Sequence, residues 1–182
     1  MNECINYLTN IYEKDGIISS CFMKCQNNIF IIISNNNVPI IKIFDIRGVF
    51  DSQIYINDGP LNIIKSFHPS SFDEYYIIIG RKIRINIYKY PKREIFYTYN
   101  LFNDKKITEI NHFKDFTLYN ILLLEKKVGK SDNIFLIASF FGGLIAIFNF
   151  LTSKIFSLIE FKNQNLFNIC LLNDKYLFLI SL

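Results

Sequence analysis

One short pattern recurs four times along the chain, and it limits the possible folds more than any other feature. Each copy is an apolar strand that ends in a small residue. The copies are Phe30-Ile31-Ile32-Ile33-Ser34, Tyr76-Ile77-Ile78-Ile79-Gly80, Phe135-Leu136-Ile137-Ala138-Ser139 and Leu177-Phe178-Leu179-Ile180-Ser181. Self-similarity at a period of about 40 to 50 residues is typical of repeat architectures, so the pattern predicts a chain of repeated units.

Further strands complete each unit. The first three copies are each followed, after a polar or Gly-rich turn, by a strand of the form x-Ile-x-Ile-aromatic-polar, at 40–45, 84–89 and 144–149. A strand precedes every copy, at 18–25, 61–67, 118–124 and 166–172, and outer strands follow at 53–56, 95–99 and 155–161. Alternating apolar runs bounded by turn residues predict antiparallel hairpins, so each unit contains four strands.

These units predict an all-β fold, a partial β-propeller of about three to four four-stranded antiparallel blades. The expected blades are about 14–57, 58–101 and 115–161, with a partial blade at 164–182. Extra sequence at 101–115 and 125–132 explains the longer third repeat. We expect 1–182 to be a single incomplete propeller domain, a fragment of a longer propeller whose remainder would be a partner.

The segment 133–153 has two interpretations. It carries no charge and is about as long as the roughly 20 residues of a membrane-crossing helix. It also fits a hairpin buried on both faces, with Gly142-Gly143 at the turn. The equivalent segments of the first two units contain Asn35-Asn36-Asn37 and Arg81-Lys82, which a bilayer tolerates poorly. The repeat therefore favours the hairpin and no membrane contact, and a span near 133–153 is the alternative.

At these strand pairs the chain resembles the WD-repeat β-propeller family. The repeat length, the small residue closing the second strand and the aromatic-polar ending of the third carry the resemblance. The chain contains no tryptophan, so the signature Trp-Asp pair appears as Phe44-Asp45, Tyr88-Lys89 and Phe148-Asn149. No Gly-His dipeptide precedes a blade, so aliphatic packing between blades is expected to replace the family's hydrogen-bond network.

Composition and motifs point away from catalysis. The net charge of +4 comes from scattered lysines, far from the dense basic stripe of nucleic-acid binders. The four cysteines form no CxxC pair and are expected to be buried free thiols in a cytoplasmic protein. No glycine-rich phosphate loop, nucleophile elbow or paired-histidine site is present. We therefore expect no enzyme activity, no cofactor and no metal.

The remaining hypothesis is a protein–protein interaction scaffold whose loops present the contacts. The candidate loops are 35–38, 80–82 and the inserted 103–114. Within them we select Asn36, Arg81 and Lys82 as contact residues for other proteins of unknown identity. A protein anchored in a membrane near 133–153 is the alternative function.

Overall fold

The computed structural model describes residues 16–35, 39–56, 61–103, 105–108, 116–128, 131–162, 164, 166–172 and 176–181. Within these ranges the chain forms fourteen strands. They are β1 (Ile17–Cys25), β2 (Asn28–Asn35), β3 (Ile40–Asp45), β4 (Phe50–Tyr55), β5 (Ile63–Phe67), β6 (Tyr75–Arg81), β7 (Arg84–Tyr90), β8 (Glu94–Asn100), β9 (Thr117–Val128), β10 (Ser131–Phe141), β11 (Leu144–Asn149), β12 (Lys154–Glu160), β13 (Leu166–Leu172) and β14 (Tyr176–Ser181).

The strands form consecutive antiparallel sheets. β1–β4, β5–β8 and β9–β12 make the first, second and third sheets, each with neighbouring strands paired in chain order, and β13 pairs with β14. Helix in the described ranges is limited to one short turn at Leu101–Asn103 and one at Lys105–Thr108. The predicted all-β fold of four-stranded antiparallel units is confirmed.

A shared irregularity shows that the three sheets are structural copies. In each, the pairing register between the third and fourth strands shifts at an aromatic residue: Phe44, Tyr88 or Phe148. The turn that follows contains one residue in the left-handed backbone region: Gly48, Arg93 or Ser153, with φ of 82°, 62° and 60°. A bulge beside a left-handed residue is a common way to close a hairpin.

The sheets pack face to face in chain order. The core between the first and second sheets is aliphatic at its centre and includes Met23, Ile41 and Ile77. The core between the second and third sheets is larger and rich in aromatic rings, among them Phe148 and Phe150. A smaller core joins the third sheet to β13. Because sheets are covered on both faces, their inner strands are continuously apolar in sequence.

Hydrogen bonds also tie the first strand of each sheet to the first strand of the next. The backbone N–H of Ile64 donates to Ser19 Oγ at 3.0 Å. Asn62 Nδ2 donates to the Leu118 carbonyl, and Asn120 Nδ2 to the Ile169 carbonyl, each at 3.2 Å. The asparagine that recurs at the start of these strands therefore bridges adjacent sheets.

Two details differ from the sequence-based boundaries. Arg81 pairs with Arg84, so the β6–β7 turn is Lys82-Ile83 and Gly80 lies inside β6. A Cβ on Gly80 would overlap the side chains of Ile63 and Leu118, which explains why a glycine occupies this position. The strand predicted at 118–124 continues to Val128, which pairs with Ser131, so the extra sequence at 125–132 lengthens the β9–β10 hairpin.

The apolar segment 133–153 forms most of β10, all of β11 and the turns beside them. Leu136 pairs with Phe148 and Phe140 with Leu144, so Gly142 and Gly143 lie at the hairpin turn. The interpretation as a helical span is wrong for this segment. Among the described residues, no helix has the length and apolar character needed to cross a membrane.

Candidate protein-binding surface

The three residues selected from the sequence have different positions. Asn36 lies outside the described residues. Lys82 is exposed in the β6–β7 turn, and its carbonyl accepts a hydrogen bond from the backbone N–H of Leu118 at 2.6 Å. Arg81 is not a loop residue, because β6 continues one residue beyond Gly80 and leaves only 5% of Arg81 exposed. The structure therefore removes Arg81 from the loop surface.

Arg81 instead lines a cleft between the first and second sheets. This inter-sheet cleft has a volume of about 480 Å³. It opens beside the outer strands β4 and β8, the fourth strands of their sheets. Its walls are Gln53, Ile54, Tyr55, Arg81, Asn86, Tyr88, Arg93 and Ile95.

Two arginines line the inter-sheet cleft, and a buried acceptor belongs to one of its lining residues. Arg81 and Arg93 contribute two guanidinium groups, and none of the described lining residues is acidic. Asn86 is 5% exposed, and its Oδ1 has no hydrogen-bond partner among the described residues. This oxygen has almost no accessible surface, and a buried carbonyl oxygen without a donor costs about 1–3 kcal/mol.

A second cleft, of about 350 Å³, lies between the second and third sheets. Its walls include Tyr97, Tyr99 and Phe148. The Tyr97 and Tyr99 rings meet edge-to-face with centroids 4.6 Å apart, and the Tyr99 and Phe148 rings are tilted against each other at 4.5 Å. The Tyr99 hydroxyl donates to the Asn149 carbonyl at 3.2 Å, and burial raises the pKa of its phenol above the ordinary value. This aromatic cleft therefore differs in chemistry from the inter-sheet cleft, although both lie beside equivalent outer strands.

The outer strands also carry exposed large apolar side chains. Phe50 and Tyr55 of β4 are 52% and 66% exposed, Ile95 of β8 is 58% exposed, and Phe156 of β12 is 69% exposed. Tyr55 and Ile95 line the same cleft, so the apolar surface continues from one sheet to the next. Contiguous exposed apolar surface often marks an interaction site.

The cysteines and histidines form no chemical site in the described part of the chain. Burial raises the pKa of Cys21 to about 11 and, more modestly, that of Cys25, so neither thiol is activated. Cys170 is exposed, which corrects the expectation of a buried thiol there. His68 stacks on Tyr75 with ring centroids 4.1 Å apart. No group of three His, Cys, Asp or Glu residues suited to a metal ion occurs among the described residues.

Sequence reasoning missed most of the inter-sheet cleft. Asn86 and Tyr88 lie on one face of β7 because side chains alternate along a strand, but the pattern alone does not show which face meets the first sheet. Arg93 and Tyr55 come from different units, and only the packing of the sheets brings them together. A polar Asn between two isoleucines of one strand was the available signal.

Comparison with known proteins supports the architecture. No protein-family model matches the chain, and no curated protein matches it. Among solved structures, the chain is similar to BBS1N, a β-propeller, in its crystal structure in complex with ARL6DN. The TM-score is 0.60 with 10% sequence identity over 90% of this chain. The chain has a partial β-propeller fold. It spans 46% of the length of that solved chain.

Proposed function

We propose that the chain is a non-catalytic protein–protein interaction scaffold of the WD-repeat propeller type, acting in the cytoplasm. Residues 1–182 form one propeller domain in this proposal, and its partners are other proteins. Neither nucleic acid nor a membrane is a partner, and no cofactor is required.

One observation carries the proposal: exposed apolar side chains lie on outer strands beside clefts between rigidly packed sheets. Tyr55 and Ile95 are more than half exposed and share the inter-sheet cleft. Leaving such side chains in water gives up about 25 cal/mol for each Å² of apolar surface that a partner could cover. The solved BBS1N propeller is in a complex with another protein, ARL6DN, which is consistent with this role.

The turns support the WD-repeat type. Asp45 Oδ1 accepts hydrogen bonds from the backbone N–H groups of Arg47 and Val49, both at 2.9 Å. Asn149 Oδ1 accepts in the same way from Leu151 and Thr152 at 3.1 and 2.9 Å. These acceptors follow the buried aromatic residue at the end of the third strand, which is the position of the signature Trp-Asp pair.

A capture experiment tests the scaffold role. Purified tagged protein is incubated with an extract of its source cells, cross-linked and analysed by mass spectrometry. Because Lys82 is exposed in a turn, Lys82→Glu should keep the fold and weaken capture about five-fold if that loop contacts an acidic partner surface. Arg81 is unsuitable for charge reversal because burial of the new carboxylate beside apolar strands would destabilise the sheet.

Lys92→Glu is the matched control. Lys92 is also exposed in a turn of the second sheet, but this turn joins β7 to β8 at the opposite end of the strands. Capture should therefore be unchanged in this variant. If the wild-type protein retains no more protein than the tag alone, the scaffold proposal is contradicted.

A further inference from the structure

We propose that Ser70, in the turn between β5 and β6, is a phosphorylation site whose modification weakens the contact between the second and third sheets. This inference goes beyond the proposed scaffold function and does not depend on it. The modifying enzyme belongs to the protein kinases that select acidic residues after the serine, and the phosphate donor is a nucleoside triphosphate.

The connection that carries Ser70 is long and accessible. Seven residues, His68–Glu74, join β5 to β6, whereas two residues join β1 to β2 in the first sheet. Ser70 and Ser71 are exposed, and Pro69 before them is buried. The backbone N–H of Phe72 donates to the Pro69 carbonyl at 3.3 Å, which closes a turn around the two serines. Both serines therefore lie on a surface loop, the kind of segment that another enzyme can reach.

The charges after Ser70 match a kinase with a basic substrate groove. Asp73 lies three residues after Ser70 and is exposed, and Glu74 follows it. Glu74 is held by Lys89, whose Nζ lies 3.2 Å from Glu74 Oε1, so Asp73 is the acidic residue better placed for recognition. Opposite charges guide the encounter of two proteins and fix the register of a bound segment. The turn thus presents a hydroxyl group and a carboxylate at a spacing that such a kinase recognises.

The reaction at Ser70 is phosphoryl transfer. The bond between the γ-phosphorus and the bridging oxygen of the nucleoside triphosphate breaks, a bond from that phosphorus to Ser70 Oγ forms, and the nucleoside diphosphate leaves. The hydroxyl proton passes to the catalytic base of the kinase. Near neutral pH the phosphoserine carries a charge of about −1.5 to −2.

This charge is created beside an existing carboxylate. The backbone N–H of Ser70 donates to Glu125 Oε1 of β9 at 2.8 Å, and this hydrogen bond joins the β5–β6 turn to the third sheet. Ser70 Oγ belongs to the same residue as that nitrogen, so a phosphate on it lies close to the Glu125 carboxylate. A phosphate next to a carboxylate is repelled and disrupts the local contact.

Loss of the Ser70–Glu125 contact reaches the core through Phe72. Phe67 and Phe72 are half-buried and pack against the core between the second and third sheets. Because Ser70 lies between these two residues in the chain, its repulsion from Glu125 draws the turn away from that core. We therefore expect phosphorylation to loosen one end of the second–third interface and to leave the first–second interface unchanged.

Phosphate incorporation tests the site itself. The folded protein is incubated with ATP and a protein kinase that selects acidic residues, and peptide mass spectrometry locates the phosphate. We expect phosphate on Ser70, incorporated about ten-fold more slowly in Asp73→Asn, the effect of losing a charge-assisted contact. Ser71→Ala is the matched control, because Ser71 is also exposed in this turn and its loss should leave Ser70 modified.

Two outcomes of this experiment would overturn the proposal. One is phosphate on Ser71 instead of Ser70. The other is an unmodified Ser70 in the folded protein under conditions in which the same kinase modifies a synthetic peptide of residues 66–76.

Urea denaturation tests the consequence for the second–third interface. Phosphorylation of the wild-type protein should raise the unfolding equilibrium constant about two- to five-fold, the size of an exposed charge interaction. In Glu125→Gln the modification should have at most about half of this effect, because the repelled charge is absent while the amide oxygen still accepts the Ser70 N–H. An equal effect of phosphorylation in both proteins would contradict repulsion from Glu125.

Discussion

The two large interfaces between sheets use the same backbone architecture with different chemistry. The first–second interface has an aliphatic centre around Met23 and ends in a cleft lined by two arginines. The second–third interface contains the ring of Phe150, which meets Phe67 and Tyr76 edge-to-face with centroids 5.6 and 5.1 Å apart. The repeated strand pattern therefore fixes the stacking of sheets, while individual side chains decide whether an interface mainly stabilises the protein or also offers a site.

The largest expected effect comes from Phe150, which is fully buried in the second–third interface. Phe150→Ala should lower the free energy of unfolding by about 3–5 kcal/mol through lost burial and the cavity left behind. Ile46 follows Asp45 as Phe150 follows Asn149 and is only partly buried, so Ile46→Ala should cost about 1 kcal/mol. Urea denaturation measures both. Equal losses would contradict the difference in burial between these two equivalent positions.

Gly80 gives the next largest effect. Gly80→Ala should destabilise the protein by about 1–3 kcal/mol, because the new methyl group would overlap Ile63 and Leu118 at the second–third interface. Ser34 is the small residue of the first repeat, and its Oγ donates to the Ser19 carbonyl at 3.4 Å. Ser34→Ala adds no atoms and should cost less than Gly80→Ala in the same thermal or urea denaturation. The reverse order would contradict close packing at Gly80.

Asp45 and Asn149 allow a pH test of equivalent turns in the first and third sheets. The hydrogen bond from Val49 N–H, followed by contributions from Arg47, holds the pKa of Asp45 below its ordinary value. A lowered pKa in the folded state stabilises the protein above the unfolded-state pKa, and this stabilisation is lost as pH falls through the folded-state pKa.

The stability of the wild-type protein should therefore decrease more than that of Asp45→Asn below about pH 4. The uncharged Asn149 already performs this role in the third sheet, so an asparagine should preserve the Asp45 turn. Urea midpoints at neutral and acidic pH provide the measurement. An identical pH profile for both proteins would rule out a linked carboxylate at this turn.

The smallest effect concerns thiol reactivity at the first–second interface. Burial raises the pKa of Cys21 to about 11, whereas Cys170 is exposed on β13. In a Cys4→Ser background, iodoacetamide at neutral pH should label Cys170 first and Cys21 last, because the thiolate is the reactive form. Mass spectrometry of peptides resolves the order. Early labelling of Cys21 would show that the first–second interface opens readily.

The sequence predicted the strands closely where a repeat supported them. The strand predicted at 166–172 is β13, Leu166–Leu172, and the hairpin turn at Gly142-Gly143 is confirmed by the pairing of Phe140 with Leu144. The predicted strand boundaries were wrong where a strand continued into polar residues. Arg81 appeared to be a loop residue because a charge follows Gly80, yet backbone pairing with Arg84 extends the strand.

Recurring apolar runs and the small residues that end them by themselves determined the class of fold, because strands covered on both faces of a stack of sheets are continuously apolar. Only the tertiary structure decided which side chains share a cleft. Tyr55 and Arg93 are separated along the chain and carry no mutual pattern, and the face of the second sheet that meets the first brings them together. Strand pairing joins segments that are close in sequence, so it produces a pattern that recurs along the chain. Contacts between sheets depend instead on which face of each sheet meets its neighbour, and no single repeat encodes that.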